Sequence, residues 1–136
     1  MTSAPPQGFE PIDEPPGFDA MVGPYYRKRT DDGPVLGFLA EARHLNPGGV
    51  IHGGMLMTFI DRTLGALVWR AIGGRPCATV SLNTDFLAPA RPGDWIECRG
   101  QVTRQTRSLV FVRGELTTAD RTLVTASGVW KKLGQS

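Results

Sequence analysis

The chain has 136 residues, of which 40% are hydrophobic and 21% are charged, and this composition is typical of one globular domain. The formal net charge is only +2, which argues against a dedicated nucleic-acid-binding protein, because such proteins usually present a strongly basic surface. The longest apolar stretch, residues 55–72, contains Asp61, Arg62 and Arg70, and three charges argue against a membrane-spanning helix there.

A proline-rich arm opens the chain. Residues 1–24 contain six prolines. Because proline fixes φ and removes a backbone donor, we predict no regular structure over most of the arm, apart from a short helical turn at residues 18–22. The two cysteines, Cys77 and Cys98, lack the spacing of a metal site, and the N-terminus lacks the features of a signal peptide. We therefore expect a cytoplasmic protein that uses no metal and no cofactor.

A hairpin and a long helix are predicted next. Residues 25–29 and 35–43 are β-like, and the turn sequence Asp-Asp-Gly-Pro lies between them. Residues 55–72 contain strong helix formers and no proline, and they are apolar nearly all round. This pattern indicates a helix that is buried on most sides, and Gly73 and Gly74 end it.

Four β-rich segments complete the chain, at residues 77–87, 94–104, 108–118 and 122–132. Short connections between the last three predict an antiparallel meander. In the first segment, strict alternation places Thr79, Ser81 and Asn83 on one face of the strand. We predict an α+β domain over residues 25–136, preceded by the arm at 1–24, in which five or six antiparallel strands wrap around one central helix. The free sheet edge could pair with a second copy.

A loop with the sequence Arg-His-Leu-Asn-Pro-Gly-Gly-Val-Ile-His-Gly-Gly leads into the predicted helix. Gly53 and Gly54 expose backbone N–H groups with little steric cover, and these groups and the helix dipole favour developing negative charge. Taken singly, His52 is more often a structural histidine, and Asn46 is more often a turn residue. Asp61 is a stronger candidate for a functional residue, because burying a carboxylate inside an apolar helix costs free energy unless it has a partner.

The spacing between His52 and Asp61 suggests a site shared by two chains. Nine helical steps separate two residues by roughly 13 Å along the axis and point them to about opposite sides. One monomer could hardly bring both side chains to a single small group. In a twofold dimer, the Gly53 end of one helix would face Asp61 of the other.

Five residues form the pattern N-x5-HGG-x6-D: Asn46, His52, Gly53, Gly54 and Asp61. This pattern resembles the phenylacetate-pathway (PaaI-like) type of hotdog-fold thioesterase. The likeness covers about residues 25–131 and includes the strand sequences Thr-Val-Ser-Leu-Asn and Phe-Leu-Ala-Pro-Ala. One relative has Ser at the position of Thr79, and Thr keeps the hydroxyl. The enterobactin-type hotdog thioesterases are also similar, but they carry Glu at the position of Asp61.

The resemblance implies a hotdog fold and the hydrolysis of an acyl-CoA, whose acyl group is aryl-acetyl, aromatic or medium-chain, to the free acid and CoA. It implies Asp61 as general base or nucleophile and the Gly53 amide as oxyanion donor. The other expected catalytic residues are His52, Asn46 and Thr79, and the expected substrate-binding residues are Gly54 and Asn83 with Arg91 and Arg104. The two arginines, from the arginine-rich second half, are the candidates for CoA phosphates. The expected assembly is a homodimer, or a homotetramer built as a dimer of dimers.

Two other functions remain open. A hotdog dehydratase or hydratase would use a His–Glu or Asp–His pair, whereas the acidic residue here has the thioesterase spacing. A non-catalytic acyl-CoA-binding module usually needs an output domain, for which 136 residues leave no room.

Overall fold

One antiparallel sheet and one long helix make up most of the computed structural model, which describes residues 5–134. The strands are β1 Glu10–Pro11, β2 Tyr26–Thr30, β3 Gly33–Leu39, β4 Cys77–Phe86, β5 Trp95–Gln105, β6 Leu109–Thr118 and β7 Arg121–Lys132. The helices are α1 Phe18–Val22 and α2 Gly53–Ala71. In the sheet the order is β1-β2-β3-β5-β6-β7-β4, so the meander of β5, β6 and β7 is confirmed.

Helix α2 packs on one face of the sheet, mainly against β5, β4 and β6. Its fully buried residues recur at helical spacing: Phe59, Ile60, Leu64 and Val68. Each such side chain contributes roughly 1.5–3 kcal/mol by leaving water. The sheet approaches the helix closely at Gly100 and Gly114, where a Cβ atom would lie 2.6 Å and 2.8 Å from Cδ2 of Leu64. A larger residue at either position would force the fully buried Leu64 side chain to shift.

The structure confirms the predicted α+β architecture and changes some details. Helix α2 begins at Gly53, two residues earlier than predicted. Strand β3 ends at Leu39, because a 3-10 turn at Ala42–His44 takes up the rest of the predicted segment. The sheet has seven strands rather than five or six, since Glu10–Pro11 of the arm pairs with β2. Pro11 is tolerated there because β1 is an edge strand, which leaves one side of its backbone unpaired.

A β-bulge in β4 corrects the predicted alternation of that strand. Thr79 pairs with Trp130, but the next pair in the register is Ser81 with Val129, so Val80 is the extra residue. An extra residue reverses which face of the sheet the later side chains of the strand point to. Thr79 therefore faces α2 and bonds to Asp61, whereas Ser81 and Asn83 lie on the opposite face of the sheet. The prediction that all three share one face is wrong.

Strand β4 forms the edge of the sheet, and within residues 5–134 it pairs with β7 alone. Three large apolar residues at this edge are exposed: Val80, Phe86 and Leu87. The backbone groups on the outer side of β4 are thus available to another strand. Across the described part of the chain, every helix is too short or too polar to cross a membrane.

Candidate active site

The loop before α2 is shaped by Asn46. Its Oδ1 accepts hydrogen bonds from the backbone N–H of Gly48 at 2.9 Å and of Val50 at 3.2 Å. The backbone N–H of His52 donates to the carbonyl of His44 at 2.8 Å, which closes the loop. Asn46 thus has the turn-forming role that its residue type favours, and its catalytic role stays a prediction.

His52 caps the N-terminus of α2. Its Nδ1 accepts a hydrogen bond from the backbone N–H of Gly54 at 2.8 Å, so in the neutral ring Nε2 carries the proton and can donate it. The His52 carbonyl accepts from the N–H groups of Met55 and Leu56. Among the described residues, the Gly53 N–H has no acceptor. A free N–H at the positive end of a 19-residue helix is well suited to hold an oxyanion.

Asp61 is bound by the hydroxyl of Thr79, which donates to Oδ1 at 2.8 Å. The bulge at Val80 allows this contact, since it leaves Thr79 on the helix side of β4. The half-buried carboxylate lies in the wall of a cavity of about 690 Å³, which we call the Asp61 cavity. Its lining includes Asp61, Arg62, Leu67, Cys77, Thr79 and Trp130. The partner that the apolar helix requires for its carboxylate is therefore Thr79.

The two cysteine thiols are poor nucleophiles in this structure. Cys77 lines the Asp61 cavity, but burial raises the pKa of its thiol. Burial also raises the pKa of Cys98 to about 12. Because the thiolate is the nucleophilic form, Asp61 is the better candidate for chemistry in this cavity. Within residues 5–134, no three His, Cys, Asp or Glu side chains are grouped as metal ligands.

The start of α2 lines a different cavity, of about 390 Å³, which we call the His52 cavity. Its lining includes Phe18, Val22, His52, Gly54, Met55 and Thr58. Gly53 and Asp61 are eight residues apart on one helix, or roughly 12 Å along its axis. The oxyanion donor and the carboxylate of one chain are thus separated.

The predicted basic residues lie away from both cavities. Arg91 and Arg104 are exposed, and neither lines the Asp61 cavity or the His52 cavity. The Asp61 cavity instead includes Arg27 and Arg70 beside Trp69, whose side chain is 54% exposed. Sequence reasoning missed this group. The available signal was that Trp69 and Arg70 lie two turns beyond Asp61 and Arg62 on the same helix, but the approach of Arg27 on β2 depends on tertiary structure.

Comparisons with known proteins identify the family of the chain. Residues 48–125 match the family model of the thioesterase superfamily. The Pseudomonas aeruginosa protein PA0474, named as a candidate esterase, is 32% identical over 127 residues, which are 92% of this chain and 95% of that protein. Human acyl-coenzyme A thioesterase 13 is 30% identical over 77 residues, which are 57% of this chain and 55% of the human protein.

Two solved structures are similar over most of the chain. A phenylacetic acid degradation-related protein of Ralstonia eutropha JMP134 is 28% identical with a TM-score of 0.77, covering 87% of this chain and 92% of that one. A hypothetical thioesterase of Streptococcus pneumoniae TIGR4, solved with coenzyme A, is 25% identical with a TM-score of 0.74, covering 82% and 90%. The chain therefore belongs to the thioesterase superfamily, and the predictions of a PaaI-like hotdog fold and of a thioester hydrolase are confirmed.

Proposed function

We propose that the protein is an acyl-CoA thioesterase that hydrolyses an aryl-acetyl-, aromatic or medium-chain acyl-CoA to the free acid and CoA. The observation that carries this proposal is the Asp61 carboxylate, which Thr79 holds at 2.8 Å in the wall of a cavity with apolar side chains such as Leu67 and Trp130. Proteins similar to this chain are named for acyl-CoA hydrolysis or were solved with coenzyme A.

In this proposal the thioester carbonyl oxygen accepts a hydrogen bond from the Gly53 N–H. A donor of this kind stabilises a tetrahedral oxyanion by about 3–4 kcal/mol. Asp61 removes a proton from water, whose oxygen attacks the carbonyl carbon, or attacks that carbon itself to form an anhydride that water then cleaves. In both routes the C–S bond breaks and CoA leaves as a thiolate, which is a good leaving group because a thiol has a pKa of roughly 8.5.

The neighbouring residues support these steps. Thr79 donates to Asp61 Oδ1, which fixes the orientation of the carboxylate and leaves Oδ2 for water or the carbonyl carbon. His52 Nε2 can donate a hydrogen bond to the thioester or to the water. Asn46 and Gly54 hold the loop and the helix cap that position His52. Asn83 remains a predicted substrate contact, and its place on the outer face of β4 means that a ligand in the Asp61 cavity could reach it only across the sheet edge.

We also propose that each active site combines two chains of a homodimer. Two observations support this assembly: Gly53 and Asp61 of one chain are eight residues apart on a single helix, and the β4 edge is open and carries Val80 and Phe86 exposed. Pairing two copies about a twofold axis brings the Gly53 of each to the Asp61 of the other. A dimer of dimers remains part of the proposal. We further propose a cytoplasmic location, in keeping with two free cysteines.

We propose Arg27 and Arg70 as the residues that contact the CoA phosphates, since within residues 5–134 neither forms an ion pair and both line the Asp61 cavity. Arg70→Ala should raise KM for acyl-CoA about two- to fivefold, as expected for an exposed charge contact. It should also flatten the rise of KM with salt, because salt screens such contacts. Steady-state kinetics at low and high ionic strength measure both effects.

Arg104→Ala is the matched control for Arg70→Ala, and the comparison also tests the sequence-based prediction for Arg91 and Arg104. Both substitutions remove one exposed guanidinium, but Arg104 lies outside the two cavities. We expect Arg104→Ala to leave KM unchanged. A larger effect from Arg104→Ala than from Arg70→Ala would contradict our assignment.

The direct test of the function is release of CoA. The protein is incubated with phenylacetyl-, benzoyl-, hexanoyl- and decanoyl-CoA, and free thiol is followed with a chromogenic thiol reagent. We expect turnover with at least one of these substrates. Tight binding of acyl-CoA without release of thiol would support a non-catalytic binding module instead, and conversion of a 3-hydroxyacyl-CoA to its enoyl form would support a dehydratase.

A further inference from the structure

The proline-rich arm is folded against the domain. Phe9 is buried and packs its ring edge-on against Trp95, with 5.1 Å between the ring centroids. Glu14 forms an ion pair at 3.0 Å with Arg62, the residue after Asp61 in α2. The backbone N–H of Ile12 donates to the carbonyl of Tyr25 at 2.9 Å. The arm therefore has a defined path across α2, and it lies outside the residues 48–125 that match the family model.

Helix α1, at the end of the arm, is held by two consecutive residues of the loop that leads to the active site. Arg43 donates to the carbonyl of Met21 at 2.6 Å and also to the carbonyl of Gly23. Between them, His44 Nε2 bonds to the carbonyl of Val22 at 2.8 Å. The last carbonyls of a helix have no partner within it, so these contacts satisfy three consecutive acceptors and fix the position of α1.

The fixed helix α1 forms a wall of the His52 cavity with Phe18 and Val22. Apart from His52, whose Nε2 can still donate, the polar side chains of that cavity are already engaged: Thr58 donates to the Gly54 carbonyl at 2.8 Å, and both ring nitrogens of His44 are bonded. Arg43 is bound to Glu41 as well as to α1. An amide-bearing pantetheine chain would find few free protein partners here, and its amides would lose hydrogen bonds to water wherever they lay against the apolar lining. A hydrocarbon acyl group needs no hydrogen-bond partner.

We propose that α1 is a specificity wall, and that the ring of Phe18 contacts the acyl group of the substrate while the thioester lies at the Gly53 N–H. The assignment rests on the proposed acyl-CoA function. Met55 and Leu45 supply the rest of the apolar lining, and a cavity of about 390 Å³ accommodates a group much larger than acetyl. The arm thus selects the acyl group, while Asp61 and Gly53 act on the bond to CoA.

Affinity measurements on an Asp61→Asn background test this wall without turnover. Titration calorimetry gives the Kd of decanoyl-CoA and of CoA alone for that chain, and for the same chain with Phe18→Ala or Met21→Ala. Met21 is the matched control, because it is on α1 and 72% exposed but does not line the cavity. We expect Phe18→Ala to raise the Kd of decanoyl-CoA about tenfold through lost apolar contact and to leave the Kd of CoA unchanged. Met21→Ala should change neither Kd.

Three results would contradict the proposed specificity wall. They are equal effects of Phe18→Ala and Met21→Ala on the Kd of decanoyl-CoA, an equal loss of affinity for CoA and decanoyl-CoA with Phe18→Ala, or no binding of decanoyl-CoA by any of the chains. The second result would assign the cavity to pantetheine. Sedimentation of each chain detects a loss of assembly. A loss of assembly as the only effect of Phe18→Ala would also contradict the proposal. If the wild-type chain released no CoA while Phe18→Ala still raised the Kd of decanoyl-CoA, hydrolysis would be refuted without contradicting the contact between Phe18 and the acyl group.

Discussion

Asp61→Asn should lower kcat for acyl-CoA at least about a hundredfold, which is the lower range for loss of a general base. The amide has the shape of the carboxylate, and its oxygen can still accept the hydrogen bond from Thr79 that the structure places at 2.8 Å. It can neither take a proton from water nor attack the carbonyl carbon. The loss should therefore appear in kcat, with an unchanged circular dichroism spectrum and melting temperature.

Asp120→Asn is the matched control for this substitution. Asp120 is an exposed carboxylate in the turn between β6 and β7, away from the β4 edge and outside both cavities, so its loss should leave kcat unchanged. If purified Asp61→Asn kept more than a tenth of the wild-type turnover, the barrier would have risen by less than about 1.4 kcal/mol. That result would show that Asp61 is neither the general base nor the nucleophile.

The sequence was sufficient for the main elements of the fold, because hydrophobic periodicity is a local property. The apolar run after Gly54 gave the central helix, and β-rich segments separated by turns gave the six longer strands. The seventh strand, Glu10–Pro11, could not be predicted, since two residues carry no periodicity and the prolines around them indicate irregular structure. It exists because β2 offers it a free edge.

The facing of Thr79 shows where local patterns stop being informative. Strict alternation placed Thr79 with Ser81 and Asn83, but the bulge at Val80 separates them. A bulge is set by how two strands pair, so it is not visible in one strand alone. The identity of Thr79 as a site residue was nevertheless predicted, and its contact with Asp61 satisfies the requirement that a carboxylate in an apolar helix has a partner.

Two other features depend on contacts between distant parts of the chain. Arg27 and Arg70 come together because the β2–β3 hairpin lies beside the last turn of α2: Nη1 of Arg70 is 3.7 Å from the position of a Cβ atom on Gly33. Similarly, Arg43 and His44 bond to carbonyls about twenty residues earlier. A single sequence indicates which residues are charged or polar, but such pairings follow only from the fold.

The shared active site gives the second large expected effect, through two variants that are each inactive. Asp61→Asn removes the carboxylate, and Gly53→Pro removes the N–H that would hold the oxyanion. Proline is suited to this position, which is the first of α2. His52 has φ −57° and ψ 131°, a conformation that a residue before proline favours. A Cβ atom at this position would lie 3.3 Å from the side chain of Phe86, and that exposed ring can shift.

A mixed dimer of these variants has one site with both lesions and one site with neither, provided that each site takes Gly53 from one chain and Asp61 from the other. If both groups came from the same chain, every site would carry one lesion. The two arrangements therefore differ in whether any activity returns. Size measurement and circular dichroism must first show that Gly53→Pro folds and assembles as the wild type does.

The decisive measurement is the turnover of acyl-CoA by co-refolded Asp61→Asn and Gly53→Pro chains. For random pairing of equal amounts, half of the dimers are mixed and one of their two sites is intact, so activity should return to about a quarter of the wild-type value. It should also rise and fall with the fraction of mixed dimers when the ratio of the two chains is varied. Activity that stays at the level of the separate variants, in a sample shown to contain mixed dimers, would contradict the shared site.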